Sequence, residues 1–272
     1  MNVVEAGGAR IPAVGLGTMT LKEAAGVEMI TQALKLGYRH LDTAQAYGNE
    51  REVGEALRAS GVKRDEVFIT TKIFRDRLMP GEFERAVDES LDRLQVPFVD
   101  LVLIHWPNPE VPLPGTIASL CSVKRAGKTK NIGVSNFTVA LIEQATRIAD
   151  EPISTNQIEV HPFIDQDKVI AACNKHGISV TAYCPIARGH VPGNETLARI
   201  GKAHGKTPAQ VSLRYLVQQG MIVIPRTSKK ERLKENLDID FTLTPAEMAE
   251  IGKLRKPDGR VVSPAFAPQW DK

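Results

Sequence analysis

A single (β/α)8 barrel of the TIM type is the fold class the sequence predicts, and three observations carry it. The chain has 272 residues, and such barrels are commonly about 250 residues long. Eight short apolar stretches alternate with helical patterns, and strands apolar on both faces suit a parallel sheet covered by helices. The competing fold, a doubly wound open sheet, would carry a Gly-x-Gly-x-x-Gly turn after its first strand if it bound a dinucleotide. Here Gly15-Leu16-Gly17 runs into Thr18-Met19-Thr20-Leu21.

In chain order, Gly7-Gly8 between short apolar pieces of residues 1–12 predicts a small N-terminal hairpin. Candidate strands follow at 13–17, 38–42, 67–72, 98–105, 131–135, 154–159, 179–183 and 221–225. Helical spacing lies between them, as in Val27, Ile30, Ala33 and Leu34, or Phe83, Ala86, Val87, Ser90, Leu91 and Leu94, each set forming one buried face. Gly37, Gly127 and Gly177 close such helices, where a left-handed residue is needed. No repeat beyond this rhythm, low-complexity tract or linker divides the chain, so one domain over 1–272 is expected, with a short C-terminal tail from about Pro257.

A hydrophobic content of 42% and a charged content of 25% are those of a soluble globular protein, and a net charge of +3 is too small to argue for a nucleic-acid partner. Cys121, Cys173 and Cys184 have no Cys-x-x-Cys spacing and read as small buried hydrophobes. His161, His176 and His204 lack ligand spacing with acids or cysteines, so no metal is expected. No basic-then-apolar leader and no run approaching about 18 apolar residues is present, which predicts a cytoplasmic protein without a membrane partner.

The chemistry centres on Asp42-Thr43-Ala44-Gln45-Ala46-Tyr47-Gly48-Asn49-Glu50, where a strand hands over to an amphipathic helix. Lys72 and His105 end the next two strands, and in a barrel such strand ends converge on one face. Lys72 beside Tyr47 would favour the phenolate and lower the phenol pKa from about 10, with Asp42 keeping Lys72 charged and oriented. His105, a neutral donor, could hold a carbonyl oxygen while Tyr47 protonates it. Taken singly, the bland readings of Asp42 as a helix cap and Tyr47 as packing are stronger; the joint placement favours chemistry.

These residues resemble the catalytic tetrad of the aldo-keto reductases: Asp42 and Tyr47 in Leu-Asp-Thr-Ala-Gln-Ala-Tyr-Gly-Asn-Glu, Lys72 in Ile-Thr-Thr-Lys, His105 in Leu-Ile-His-Trp-Pro. The resemblance continues through Gly133-Val134-Ser135-Asn136-Phe137, Asn156-Gln157-Ile158-Glu159 and Ile224-Pro225-Arg226-Thr227-Ser228, and within the family it is most similar to bacterial 2,5-diketo-D-gluconate reductases. It implies NADPH as cofactor, with Ser135, Asn136 and Gln157 fixing the nicotinamide carboxamide and Tyr183 stacking on its ring. It further implies that Pro185, Ile186 and Gly189 run along the pyrophosphate. Arg226, Thr227, Ser228, Arg232 and Asn236 would serve the 2′-phosphate and adenine, which suits hydroxyls and cations at a helix start. Met19, Trp106 and Trp270 are then available as apolar walls beside Tyr47 and His105, in a pocket expected to be shallow and open because the loop from His105 to a helix near Thr116 and the tail are brief. A monomer acting on small carbonyl compounds is expected. Two readings compete: a cofactor-binding regulatory barrel with negligible turnover, and a lyase using Lys72 as nucleophile.

Overall fold

A computed structural model describes residues 2–271. It opens with an antiparallel hairpin, β1 (Val3–Ala6) and β2 (Ala9–Pro12), turned at Gly7 and Gly8, both at positive φ. Eight parallel strands follow in sequence order round one sheet: β3 (Leu16–Gly17), β4 (His40–Asp42), β5 (Phe68–Ile73), β6 (Val99–Ile104), β7 (Thr129–Ser135), β8 (Ile153–Glu159), β9 (Ser179–Tyr183) and β10 (Ile222–Val223). The sheet closes on itself. Val14 and Val223 form a parallel bridge, with Gly15 N–H donating to Val223 O at 2.9 Å and Val223 N–H to Ala13 O at 2.8 Å. This seam makes the fold a (β/α)8 barrel and excludes the open sheet.

The seam strands are shorter than the spacing predicts. Pro225 has no N–H to donate, so pairing there continues only through its carbonyl, which accepts Gly17 N–H at 3.1 Å. The helices are α1 (Glu23–Lys35), α2 (Glu50–Ser60), α3 (Glu82–Leu94), α4 (Leu113–Arg125), α5 (Val139–Ile148), α6 (Asp167–Lys175), α7 (Glu195–His204), α8 (Pro208–Gln218), α9 (Lys230–Leu237) and α10 (Pro245–Gly252). In α1 and α3 the predicted faces are the buried ones, except that Val27 and Leu91 are half-buried. Helix α4 begins at Leu113 rather than near Thr116, because Pro114 falls in its first turn, where a missing N–H costs nothing. Among the described residues no helix is long and apolar enough to cross a membrane.

Strand alternation decides what faces the axis. Phe68, Leu101, Leu103 and Ile222 pack with Ala9 and Ile11 of the hairpin, which plugs the N-terminal end of the barrel. Ile69, Val102, Ile104, Ile132 and Val134, of the other parity, join the outer core beneath the helices. Gly133 lies where the interior is tightest: a Cβ there would stand 2.6 Å from Leu103 Cδ2 and 2.7 Å from Thr155 O. The inward parity, continued to the C-terminal ends of the strands, turns polar. It carries Asp42, Lys72, Ser135, Gln157, Glu159 and Tyr183 at the ends of β4, β5, β7, β8 and β9.

Candidate active site

Asp42 ends β4, its backbone carbonyl accepting both the N–H (2.9 Å) and the hydroxyl (3.0 Å) of Thr18. The chain then makes a short turn of 3-10 helix, Gln45–Tyr47, released by Gly48 at φ 62. Asn49 fixes this turn from below: it accepts the Thr43 hydroxyl at 2.8 Å and donates to Thr18 O and Leu21 O at 2.8 and 2.9 Å. Tyr47 is thereby set over the fully buried Lys72.

The Lys72 ammonium donates to Asp42 Oδ1 at 2.6 Å, to Thr43 O at 2.8 Å and to the Tyr47 hydroxyl oxygen at 3.3 Å. Its three hydrogens are therefore committed. Burial works to lower the ammonium pKa, but the charge of Asp42, with Tyr47 and the hydrogen bonds, raises it above the ordinary value. Because Tyr47 accepts from Lys72, its own proton remains free for a ligand. The phenol pKa is not lowered as the sequence predicts. Although Tyr47 is only half-buried, desolvation of its hydroxyl raises the pKa, and Lys72 offsets that only in part. At neutral pH the Tyr47 hydroxyl thus keeps its proton.

His105 follows β6, its N–H donating to Ile73 O at 2.9 Å. Its ring stands edge-on to Tyr47 at 5.6 Å and to Phe74 at 5.6 Å. Desolvation, then Lys72, push its pKa well below 6.5, so the ring is neutral as expected. Nδ1 is buried without a partner among the described residues. An N–H placed there would be orphaned, so the proton belongs on Nε2, on the ring that lines the cavity.

The cavity above these groups has a volume of about 640 Å³. Its lining includes Asp42, Tyr47, His105, Ser135, Asn136, Gln157 and Tyr183, together with Met19 and Trp106. Pro185, Ile186, Gly189, Arg226 and Arg232 line it as well. Each amide group is held by its neighbours: Gln157 Nε2 donates to Asp42 Oδ2 at 2.7 Å, Asn136 Nδ2 to His105 O at 3.0 Å and to Ser135 Oγ at 3.1 Å, and the Tyr183 hydroxyl to Asn136 Oδ1 at 2.8 Å. Ser135 Oγ donates to Gln157 O at 2.7 Å.

Other predicted residues stand differently. The buried Thr227 closes the turn before α9, accepting Lys229 N–H at 3.0 Å, while Ser228 is exposed. Asn236 is buried against the Tyr38 hydroxyl. Arg226 donates to Met19 O at 3.1 Å and to the Thr20 hydroxyl, so it ties together the loops that follow the seam strands as well as lining the cavity. Trp270, expected as a wall, is not among the cavity's lining residues but packs against one of them, Trp106, ring centroids 6.1 Å apart.

Sequence reasoning missed several walls: Cys184, Ile224 and Val262 also line the cavity, as does Arg188, which lies in the loop expected along the pyrophosphate. Cys184 is half-buried, unlike the buried Cys121 and Cys173. It also missed a strained loop, since Cys184, Ala187 and Arg188 all hold positive φ, as does Asn136. The tail is brief, and it folds back onto a residue of the cavity wall: Phe266 packs edge-on against Trp106 at 5.4 Å and against Phe74 at 5.8 Å.

A sequence model of the Aldo/keto reductase family matches residues 13–256. The methylglyoxal reductase DkgB of Escherichia coli O157:H7 is 42% identical over 265 residues, covering 96% of this chain and 99% of its own length. An aldo-keto reductase of Mycolicibacterium vanbaalenii is 40% identical over 246 residues, 90% of this chain and 88% of its own. Among solved structures, a protein provisionally named 2,5-diketo-D-gluconic acid reductase B is 49% identical with a TM-score of 0.98, covering 100% of this chain and 98% of its own. A Bombyx mori aldo-keto reductase in complex with NADP is 33% identical with a TM-score of 0.89, covering 96% and 95%.

Proposed function

Because the chain belongs to the aldo/keto reductase family, we propose that it is an NADPH-dependent reductase of small aldehydes and ketones in which Tyr47 is the general acid. Methylglyoxal-like dicarbonyls and keto-sugar acids such as 2,5-diketo-D-gluconate are the substrate classes favoured by the names of its relatives.

The lining suits that cofactor on its own chemistry. Amide, hydroxyl and aromatic groups line the cavity at Ser135, Asn136, Gln157 and Tyr183, and the cationic side chains of Arg226 and Arg232 line it too. Arg226 meets only neutral partners, and Arg232 enters no ion pair among the described residues, so both charges are left for a phosphate. Gln157, whose Nε2 is committed to Asp42, would present its amide oxygen to the carboxamide. Bound there, NADPH supplies a hydride to the carbonyl carbon.

The chain's own part is to hold the carbonyl and move one proton. Nε2–H of His105 donates to the carbonyl oxygen and orients it. The Tyr47 hydroxyl, protonated at neutral pH, gives its proton to that oxygen as negative charge develops on it. Lys72, held at 3.3 Å, compensates the phenolate that remains, and Asp42 keeps the ammonium charged and aimed. The single observation that carries this reading is the buried line from Asp42 through Lys72 to Tyr47, with contacts of 2.6 and 3.3 Å ending on a phenol at the cavity wall. The same line argues against a Schiff-base lyase, because Lys72 has all its hydrogens engaged and a raised pKa.

The test is loss of NADPH absorbance with a panel of dicarbonyls, keto acids, and aliphatic and aromatic aldehydes. Reduction of none of them, with tight NADPH binding retained, would favour the regulatory barrel instead.

A further inference from the structure

A buried carboxylate at the mouth of the barrel takes no part in the proton chemistry derived above. Glu159 ends β8 and is completely buried, and among the described residues its carboxylate bonds to the tail and His161 rather than to Asp42, Tyr47, Lys72 or His105. Its partners come from the C-terminal tail: Val261 N–H donates to Oε1 at 2.6 Å and Val262 N–H to Oε2 at 2.8 Å. His161 supplies a further donor, its Nε2 lying 3.0 Å from Oε1. His161 Nδ1 already accepts Phe163 N–H at 3.2 Å, so the proton sits on Nε2 and points at Glu159. The guanidinium of Arg260 stands at 4.0 Å from Oε2.

The tail is shaped to reach this carboxylate. Lys256 N–H donates to Phe163 O at 2.9 Å, and at Gly259 a Cβ would lie 1.8 Å from the same carbonyl oxygen, so only glycine lets the chain cross so closely. Beyond the clamp Val262 lines the cavity, and Phe266 packs on Phe74 and Trp106. Phe74 in turn packs on His105, which packs on Tyr47. At the far end Asp271 Oδ2 accepts Val139 N–H at 3.0 Å. The segment between is a strap fastened at both ends, and a continuous series of rings joins it to the proposed acid.

We infer that Glu159 is a positioning residue that fixes the tail across the carbonyl pocket and so sets which substrates the pocket admits. The consequence for selectivity rests on the reductase reading; the clamp itself does not. Carboxylate acceptors give stronger hydrogen bonds to N–H than neutral ones, so removing this one frees the tail at the point where Val262 becomes cavity wall.

The test uses the full chain and its Glu159→Gln and Glu159→Ala variants, with two readouts. In residue-resolved hydrogen exchange, the Val261 and Val262 amides should exchange roughly tenfold to a hundredfold faster in Glu159→Ala, with Ile104 and Val134 unchanged. Glu159→Gln, which keeps one acceptor oxygen, should fall between. In steady-state reduction, the ratio of kcat/KM for methylglyoxal to that for a bulky aryl ketone should drop about tenfold or more, mainly through KM. Unchanged tail exchange, or core amides accelerated as much as the tail, overturns the clamp. A freed tail with an unchanged substrate ratio overturns the selectivity role. A wild-type protein that reduces no carbonyl while its tail responds as expected would overturn the reductase reading and leave the clamp standing.

Discussion

Gln157 Nε2 donates to Asp42 Oδ2 at 2.7 Å, joining across the barrel two side chains 115 positions apart. Asp42 gives its other oxygen to Lys72, so both halves of the carboxylate are spoken for. Gln157→Leu would leave one buried oxygen without a partner, for an expected loss of about 1–3 kcal/mol in stability. Gln157→Glu would set two carboxylates at contact distance, which raises the pKa of one of them. A raised folded pKa means the native state holds a proton the unfolded chain has released, so this variant should be weakest at high pH and recover as pH falls. Urea unfolding at pH 8 and pH 5 tests both; a Gln157→Glu protein with no such recovery would show that the contact does not form.

Tyr47→Phe removes the proposed acid but no cofactor-facing group. Turnover should fall by about 10² to 10⁴ while NADPH affinity stays nearly constant. Burial raises the phenol pKa and lowers that of His105, so wild-type turnover should be flat through neutral pH and decline only above the ordinary phenol value of about 10. Rates of Tyr47→Phe near wild type, or an alkaline decline that survives the substitution, would remove Tyr47 from the mechanism.

The barrel and its polar end were readable because both rest on short-range periodicity. Asp42, Lys72, Ser135, Gln157 and Tyr183 fall on the inward parity of strands whose outward parity carries Leu41, Ile69, Ile132, Val134, Ile158, Val180 and Ala182, and closure follows from repetition of one unit. What spacing could not carry was balance and distance. Whether Lys72 or burial governs the Tyr47 pKa depends on how much water reaches one oxygen, and that is set by residues far along the chain. The Glu159 clamp joins positions 102 and 103 residues apart, and nothing local in Val261-Val262 marks it. The left-handed backbone at Cys184, Ala187 and Arg188 is equally silent, because none of these types favours that conformation.

Arg232 lines the cavity, and its guanidinium has no ion-pair partner among the described residues. If it meets the 2′-phosphate, Arg232→Ala should weaken NADPH by about 1.5–3 kcal/mol, roughly tenfold to a hundredfold, and leave NADH little changed. Fluorescence titration with both cofactors distinguishes this from a structural role, for which the two losses would be equal.

His40 and His105 are both buried with lowered pKa values, His40 through desolvation, partly offset by Asp42 and a hydrogen bond to Pro12 O. Below the unfolded value of about 6.5 the unfolded chain binds protons that the native state refuses. Stability should therefore fall as pH drops from 6.5 toward the native pKa, by at most about 1.4 kcal/mol per pH unit for each group. Replacing His105 by Asn should flatten the urea-midpoint profile between pH 7 and pH 5. A slope identical to wild type would mean that His105 does not contribute this penalty.

Lys72 and Asp42 are buried together, at 0% and 1% exposure, with their charges 2.6 Å apart. Removing one partner leaves the other charge uncompensated, so Lys72→Met should cost about 3–5 kcal/mol as well as turnover. The double variant Lys72→Met with Asp42→Leu removes both charges and should regain much of that stability, since a buried pair contributes little net against apolar replacements. Gln157 would then lose its acceptor, which limits the recovery. Turnover should not return in the double variant, because Tyr47 still lacks the cation that compensates its phenolate. Unfolding free energies and single-turnover rates for the wild type and three variants complete the cycle. If stability and turnover recovered together, the pair would act only as a structural prop, and the role given to Lys72 in proton transfer would be wrong.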